Sequence, residues 1–247
     1  MNSMAGSPSA PSFNEAAIKR GAASVRHPLT RALLVLTFTT GLVDAVSYLA
    51  LGRVFTANMT GNVVLLGFGI AGSGGLPVVA PIVSLAAFLI GAGAGGALVR
   101  RMTGRHPVLV ARALAIEVSL LVIAAVVAAA TTVHPGNASA YALIVLMASA
   151  MGVRNATVRH IAVPDLTTTV LTMTLTGFAA DSRLAGGSGN GSIRRLSAVL
   201  AMLVGAIAGA LLLKASVFAA LGLAAVLAIA TWLVYVPAAV RLGSNSE

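Results

Sequence analysis

The chain reads as an all-α integral membrane protein: about six transmembrane helices in two inverted three-helix repeats, each with a short broken or re-entrant polar segment. Three observations predict this. Of 247 residues, 58% are hydrophobic and only 9% charged, with a mean hydropathy of +0.97, whereas a soluble domain carries about 25% charged residues. Two polar stretches repeat each other at a fixed offset. The basic residues gather in alternate loops, as they do when loop charge orients a membrane chain.

The apolar runs come in order. Six are long enough to cross a hydrocarbon core as helices, near 31–51, 77–99, 108–130, 140–161, 196–213 and 216–236, since a span needs about 20 residues. Residues 1–28 are rich in Ser, Pro, Ala and Gly, with Lys19, Arg20 and Arg26 and no apolar core, so they read as a disordered cytoplasmic tail and not as a signal peptide. Residues 29–237 form a single membrane domain, with repeat halves at about 31–130 and 140–236, and 238–247 form a second cytoplasmic tail. Two shorter, more polar stretches remain, 55–71 and 168–180.

Loop charge decides whether those two cross. If they enter and leave on one side, the cytoplasmic side holds Lys19, Arg20, Arg26, Arg100, Arg101, Arg105, Arg183, Arg194, Arg195 and Arg241, and the outer side only Arg53 and Lys214. If all eight runs cross, Arg100, Arg101 and Arg105 fall outside, against the positive-inside tendency. Six spans with both termini inside is the consistent solution. Three spans per half then invert the second half relative to the first. The alternative for 55–71 and 168–180 is a pair of interfacial helices beside the bundle.

The repeat itself is read from residues. Gly41-Leu-Val-Asp-Ala45 matches Gly152-Val-Arg-Asn-Ala156 at an offset of 111, and Thr56-Ala-Asn-Met-Thr60 with Gly61 and Asn62 matches Thr168 to Thr174 at 112. Gly91 and Gly95 are spaced like Gly205 and Gly209 within apolar runs. Glycines four apart let helices approach closely, so these four are read as packing positions between the repeats, with a homo-oligomer contact as the lesser use.

Gly41-Leu-Val-Asp-Ala-Val-Ser-Tyr48 and Phe55-Thr-Ala-Asn-Met-Thr-Gly-Asn62 resemble the opening signature of the YoaK family of bacterial multi-pass membrane proteins. Met151-Gly-Val-Arg-Asn-Ala156 and the threonine-rich stretch after it resemble that family's second half, over about residues 30–237 in all. The chain departs from the pattern at Thr172-Met173, where a Thr-Gly pair is expected. The resemblance implies a membrane location and about six helices, and implies no activity.

Few residues can carry chemistry. Asp44 lies well inside the first span, where an ionised aspartate costs roughly 2.5–3.5 kcal/mol unless it faces a partner or water. It reads either as a proton, cation or solute site or as a carboxylate that caps the short helix after Thr56. Its repeat counterpart is Asn155. Glu117 is the other carboxylate within a span, and Arg112 is poorly spaced to pair with it. Glu117 therefore needs another partner, and is expected to share a cavity with Asp44. Arg154 reads as an anchor at the cytoplasmic interface, with attraction of an anionic substrate or neutralisation of Asp44 as the alternatives. Trp232 and Tyr235 read as interfacial belt residues.

The +10 net charge belongs to orientation and not to nucleic acid. No cysteine is present, and the four scattered histidines do not converge, so neither a metal site nor a cofactor is expected. The catalytic templates find no match, so no enzyme is expected. The expected role is a secondary transporter or channel in the inner membrane, for a small solute or a proton or cation. Asp44, Asn58, Thr60, Asn62, Glu117, Asn155 and Thr172 are the expected pathway residues, and one half would rock against the other. The alternative is a non-transporting membrane scaffold or accessory subunit.

Overall fold

A computed structural model describes residues 28–101, 106–161 and 171–244. Both the expected N-terminal tail and Thr168 and Thr169 lie outside the described residues. Within them the chain is helical, without strands. In chain order the elements are α1 (Pro28–Ala50), α2 (Met59–Ile70), α3 (Val79–Arg101), α4 (His106–Ala130), α5 (Ala138–Ile161), α6 (Leu171–Ala180), α7 (Ser192–Leu212) and α8 (Val217–Ser244), with a 3₁₀ turn at Arg183–Ala185 between α6 and α7. Six of these are long and apolar enough to cross a membrane, and they coincide with the six runs expected. Helix α8 continues past the expected domain boundary at 237. Helices α2 and α6, with 12 and 10 residues, reach only about 18 and 15 Å, short of the roughly 30 Å hydrocarbon core.

The two spans that hold the polar motifs are the inner ones. In α1, 67% of the apolar window is buried, and in α5, 61%, against 22–33% in the other four. Lipid is a good solvent for Leu and Val, so the four outer helices bury little and expose residues such as Ile90, Val126, Leu203 and Val234. The inner pair bury Asp44, Ser47, Arg154 and Thr157, which require protein around them.

Each inner helix is gripped by a helix from the other half of the chain. Helix α3 lies against α5, and α7 against α1. These crossings are backbone to backbone. A side chain at Gly91 would strike the carbonyl of Ser149, and one at Gly152 the carbonyl of Phe88; one at Gly205 would strike that of Phe38, and one at Gly41 that of Met202. A Cβ at Gly95 would lie 2.9 Å from Ala156 Cβ, and one at Gly209 would lie 2.9 Å from Ala45 Cβ. The two sets of contacts therefore use corresponding residues of the two sequence repeats. Helices α4 and α8 pack on each other and on α5 and α1 respectively, while α2 lies on α3 and α6 on α7.

The helix ends sort by side. The turn after α1 has Gly52 at φ +109, a conformation glycine adopts without strain. It sits against Pro135 of the α4–α5 connection, 3.5 Å from a Cβ built there. At the other end, Trp232 of α8 donates from Nε1 to the carbonyl of Ala111 in α4 at 3.0 Å. This residue, expected at the membrane interface, ties two helices together.

Candidate functional site

After α1 ends at Ala50, the chain turns and comes back to the level of Asp44, six residues and about 9 Å below that end. Two devices hold it there. Asp44 Oδ1 accepts from the amides of Thr56 at 3.1 Å and Ala57 at 2.9 Å. Asn62 pairs with Phe55 as a second peptide would: its Oδ1 accepts from Phe55 N at 2.8 Å, and its Nδ2 donates to Phe55 O at 2.7 Å. Ser84 of α3 adds a hydroxyl to the same carbonyl at 2.6 Å. Asn58 caps α2, its side chain accepting from Gly61 N at 3.1 Å. Each bond satisfies a backbone group freed where helix is interrupted, which an apolar surrounding demands. Ala57, seated between these bonds, packs against Ala150 and Met151 of α5, with Phe88 of α3 and Leu120 of α4 alongside.

Beside this corner lies a cleft of about 480 Å³, lined by Tyr48, Phe55, Asn58, Thr60, Gly61, Val64, Leu65 and Thr172. Thr60 and Thr172, which correspond in the two sequence repeats, both line it and are exposed. The rings of Tyr48 and Phe55 stack with centroids 5.0 Å apart. The first residues of two short helices thus meet at one opening. Asn62 is fully buried behind it, and among the described residues Asp44 is not part of its lining. Asn155 bonds the carbonyl of Met151 in its own helix at 2.8 Å.

The expectation for Glu117 and Arg154 is corrected. Arg154 is 2% exposed and Glu117 1%, and the two form a two-pronged ion pair, with Nε to Oε2 at 2.9 Å and Nη2 to Oε1 as the second contact. Arg154 Nη1 also donates to Leu36 O at 2.8 Å and Thr40 Oγ1 at 2.7 Å in α1. The pair borders a cavity of about 30 Å³ lined also by Leu36, Leu114, Val158 and Tyr235. Arg154 is thus neither an interfacial anchor nor the partner of Asp44, and Glu117 shares its cavity with Arg154 and not with Asp44. A buried ion finds its counter-ion across helices, since burial makes an unpaired charge far costlier than a long sequence separation. Sequence spacing along one helix cannot reveal such a partner. Ser84, an unremarkable serine within an apolar run, gave no signal at all. Gly41 and Gly152 stand out in the sequence as repeat landmarks, and the structure makes them half of the helix crossings.

Comparison with known proteins places the chain. The family model described as "Protein of unknown function (DUF1275)" matches residues 32–234. The chain belongs to the DUF1275 family. Among curated proteins, the UPF0700 transmembrane protein YoaK of Bacillus subtilis (strain 168) is 35% identical over 161 residues, covering 65% of this chain and 68% of that one. No solved structure matches. The resemblance to the YoaK family is therefore shown, and the corner built on Asp44, Asn58 and Asn62 lies within the matched residues 32–234.

Proposed function

We propose that this DUF1275 protein is a non-enzymatic transporter or channel for a small solute in the cell's inner membrane, with both termini cytoplasmic. In this reading the two halves are inverted repeats, and α2 and α6 are re-entrant segments that enter from opposite faces. The observation that carries it is the cleft: one opening is lined from both short helices, by Asn58 and Thr60 on one side and Thr172 on the other. Discontinuous helices whose starts meet at an opening between repeats are the setting in which transporters bind solute. The matched crossings at Gly41, Gly91, Gly95 and at Gly152, Gly205, Gly209 support a twofold relation between the halves. They also interlock the halves, so the moving bodies are α1 with α7 and α3 with α5, and not the two sequence halves.

The test is solute flux into proteoliposomes holding the purified full chain, with Thr60→Val and Thr172→Val as variants. Folded protein with flux reduced about tenfold is expected, since one lost hydrogen bond is worth up to about 1.5 kcal/mol. Wild-type flux in both variants removes the cleft from the pathway. A second reading, a scaffold or accessory subunit, draws on the fact that Asn62 and Asp44 direct their bonds to the chain itself. That reading predicts no solute flux above empty vesicles for the wild-type chain.

A further inference from the structure

Which solute fits follows from what the cleft offers and what it lacks. Among the described residues its polar lining consists of three hydroxyls, those of Tyr48, Thr60 and Thr172, and the side-chain amide of Asn58. The Asn58 oxygen is already engaged by Gly61 N, which leaves its NH₂ as a donor. A hydroxyl both donates and accepts, so three hydroxyls and an NH₂ match a solute whose own groups do the same. The stacked Tyr48 and Phe55 rings supply a flat apolar surface for C–H groups between those hydroxyls. A volume of about 480 Å³ falls within the range of small-molecule sites.

The described lining carries no charge. Among the described residues no Asp, Glu, Lys or Arg lines the cleft. The intramembrane carboxylates are engaged elsewhere, Asp44 Oδ1 with the amides of Thr56 and Ala57 and Glu117 with Arg154. A carboxylate or phosphate solute calls for a guanidinium or ammonium partner, and an amine for a carboxylate. The amino ends of α2 and α6, starting at Met59 and Leu171, carry partial positive charge that repels cations and favours electron-rich oxygen. We infer that the cleft takes a small, uncharged, polyhydroxylated solute. This inference rests on the cleft being the pathway, and deepens that reading by naming the solute class.

The absence of cysteine allows a local test that needs no flux. Val64 lines the cleft and is 48% exposed. In Val64→Cys protein in detergent, the rate of labelling by a thiol reagent is followed with glycerol, xylitol, acetate, phosphate or methylammonium added. Val226→Cys, on α8 and 60% exposed, serves as the control. Glycerol and xylitol are expected to slow labelling at position 64 severalfold and leave position 226 unchanged. Adding Thr60→Val or Thr172→Val should raise the half-protecting concentration about five- to tenfold. Protection by acetate, phosphate or methylammonium in place of the polyols overturns the solute class and leaves the pathway standing. Protection by no probe, or polyol protection that both threonine variants retain unchanged, overturns the site itself. Flux in proteoliposomes without polyol protection separates a failure of this inference from a failure of the transport reading.

Discussion

Neighbouring residues of one motif have different tasks, and substitution separates them. Asn62 holds both backbone groups of Phe55, so Asn62→Leu leaves a buried N–H without its partner and weakens the hold on the carbonyl. An unsatisfied buried group costs about 1–3 kcal/mol, and a loss of that order should appear as a lower thermal midpoint and less monodisperse protein. Thr60, two residues earlier and exposed on the cleft, should tolerate valine with stability within about 0.5 kcal/mol of wild type. Asp44→Asn retains an oxygen to accept the Thr56 and Ala57 amides and should stay folded, whereas Asp44→Ala removes the clasp and should not. Equal thermal midpoints for the Asn and Ala variants would deny the clasp its role. The polar character of this motif was legible in the sequence; the expected cap was not placed correctly, because Asn58 caps α2 and Asp44 holds the turn before it. The division of labour was not legible, because Asn62 and Thr60 differ in which way the helix turns them, and a 12-residue helix with apolar residues on every side carries no amphipathic pattern to show it.

At the scale of elements, the glycine crossings and the ion pair make distinct demands. Gly91→Leu and Gly205→Leu each drive a side chain into the facing backbone, at Ser149 and Phe38. Their yields of folded protein should fall together, since the contacts correspond. A large loss from one with none from the other, measured by fluorescence-detected size exclusion, would separate the two crossings. Gly67 and Gly93, beside which a built Cβ meets nothing, are the matched controls and should accept alanine. Glu117→Ala leaves Arg154 buried with its charge uncompensated, at a cost of about 3–5 kcal/mol, while Glu117→Met with Arg154→Met should recover most of the loss. Chemical denaturation of the purified chain reads both. The helix spans were legible to within a few residues because hydropathy marks them directly. Which helix grips which was only half legible: the glycine spacing marks faces for close approach, but a spacing cannot say that α3 crosses α5 and α7 crosses α1.

At the scale of the whole molecule, sidedness is read by labelling the intact chain. Single cysteines at Arg53, Gly74, His134 and Ala215 should label from outside with an impermeant reagent, and those at Gly104 and Ser188 only after the membrane is opened. Labelling of Gly104 but not Gly74 from outside would undo the inverted arrangement and with it the entry of α2 and α6 from opposite faces. The burial gradient was legible in part. The two inner helices hold the polar motifs, and membrane proteins place their polar side chains inward. The pairing of Glu117 with Arg154 was beyond any reading of one chain without its fold, since it joins residues of α4 and α5 that no local pattern relates.

The interlock between halves has a bearing on how the protein is made. Among the described helices α1 is made well before α7, and the surface around Gly41 that α1 presents is completed only when α7 follows. During synthesis α1 must wait in the bilayer with a bare backbone groove and a carboxylate at membrane depth, through the insertion of four further spans. A nascent chain halted after α4 has no α7 for α1 and no α5 for α3, so neither half is a self-sufficient body. Maturation of this protein is therefore a late closure, completed from the carboxyl-terminal end, and the membrane insertion machinery has to shelter an unfinished first helix until it comes.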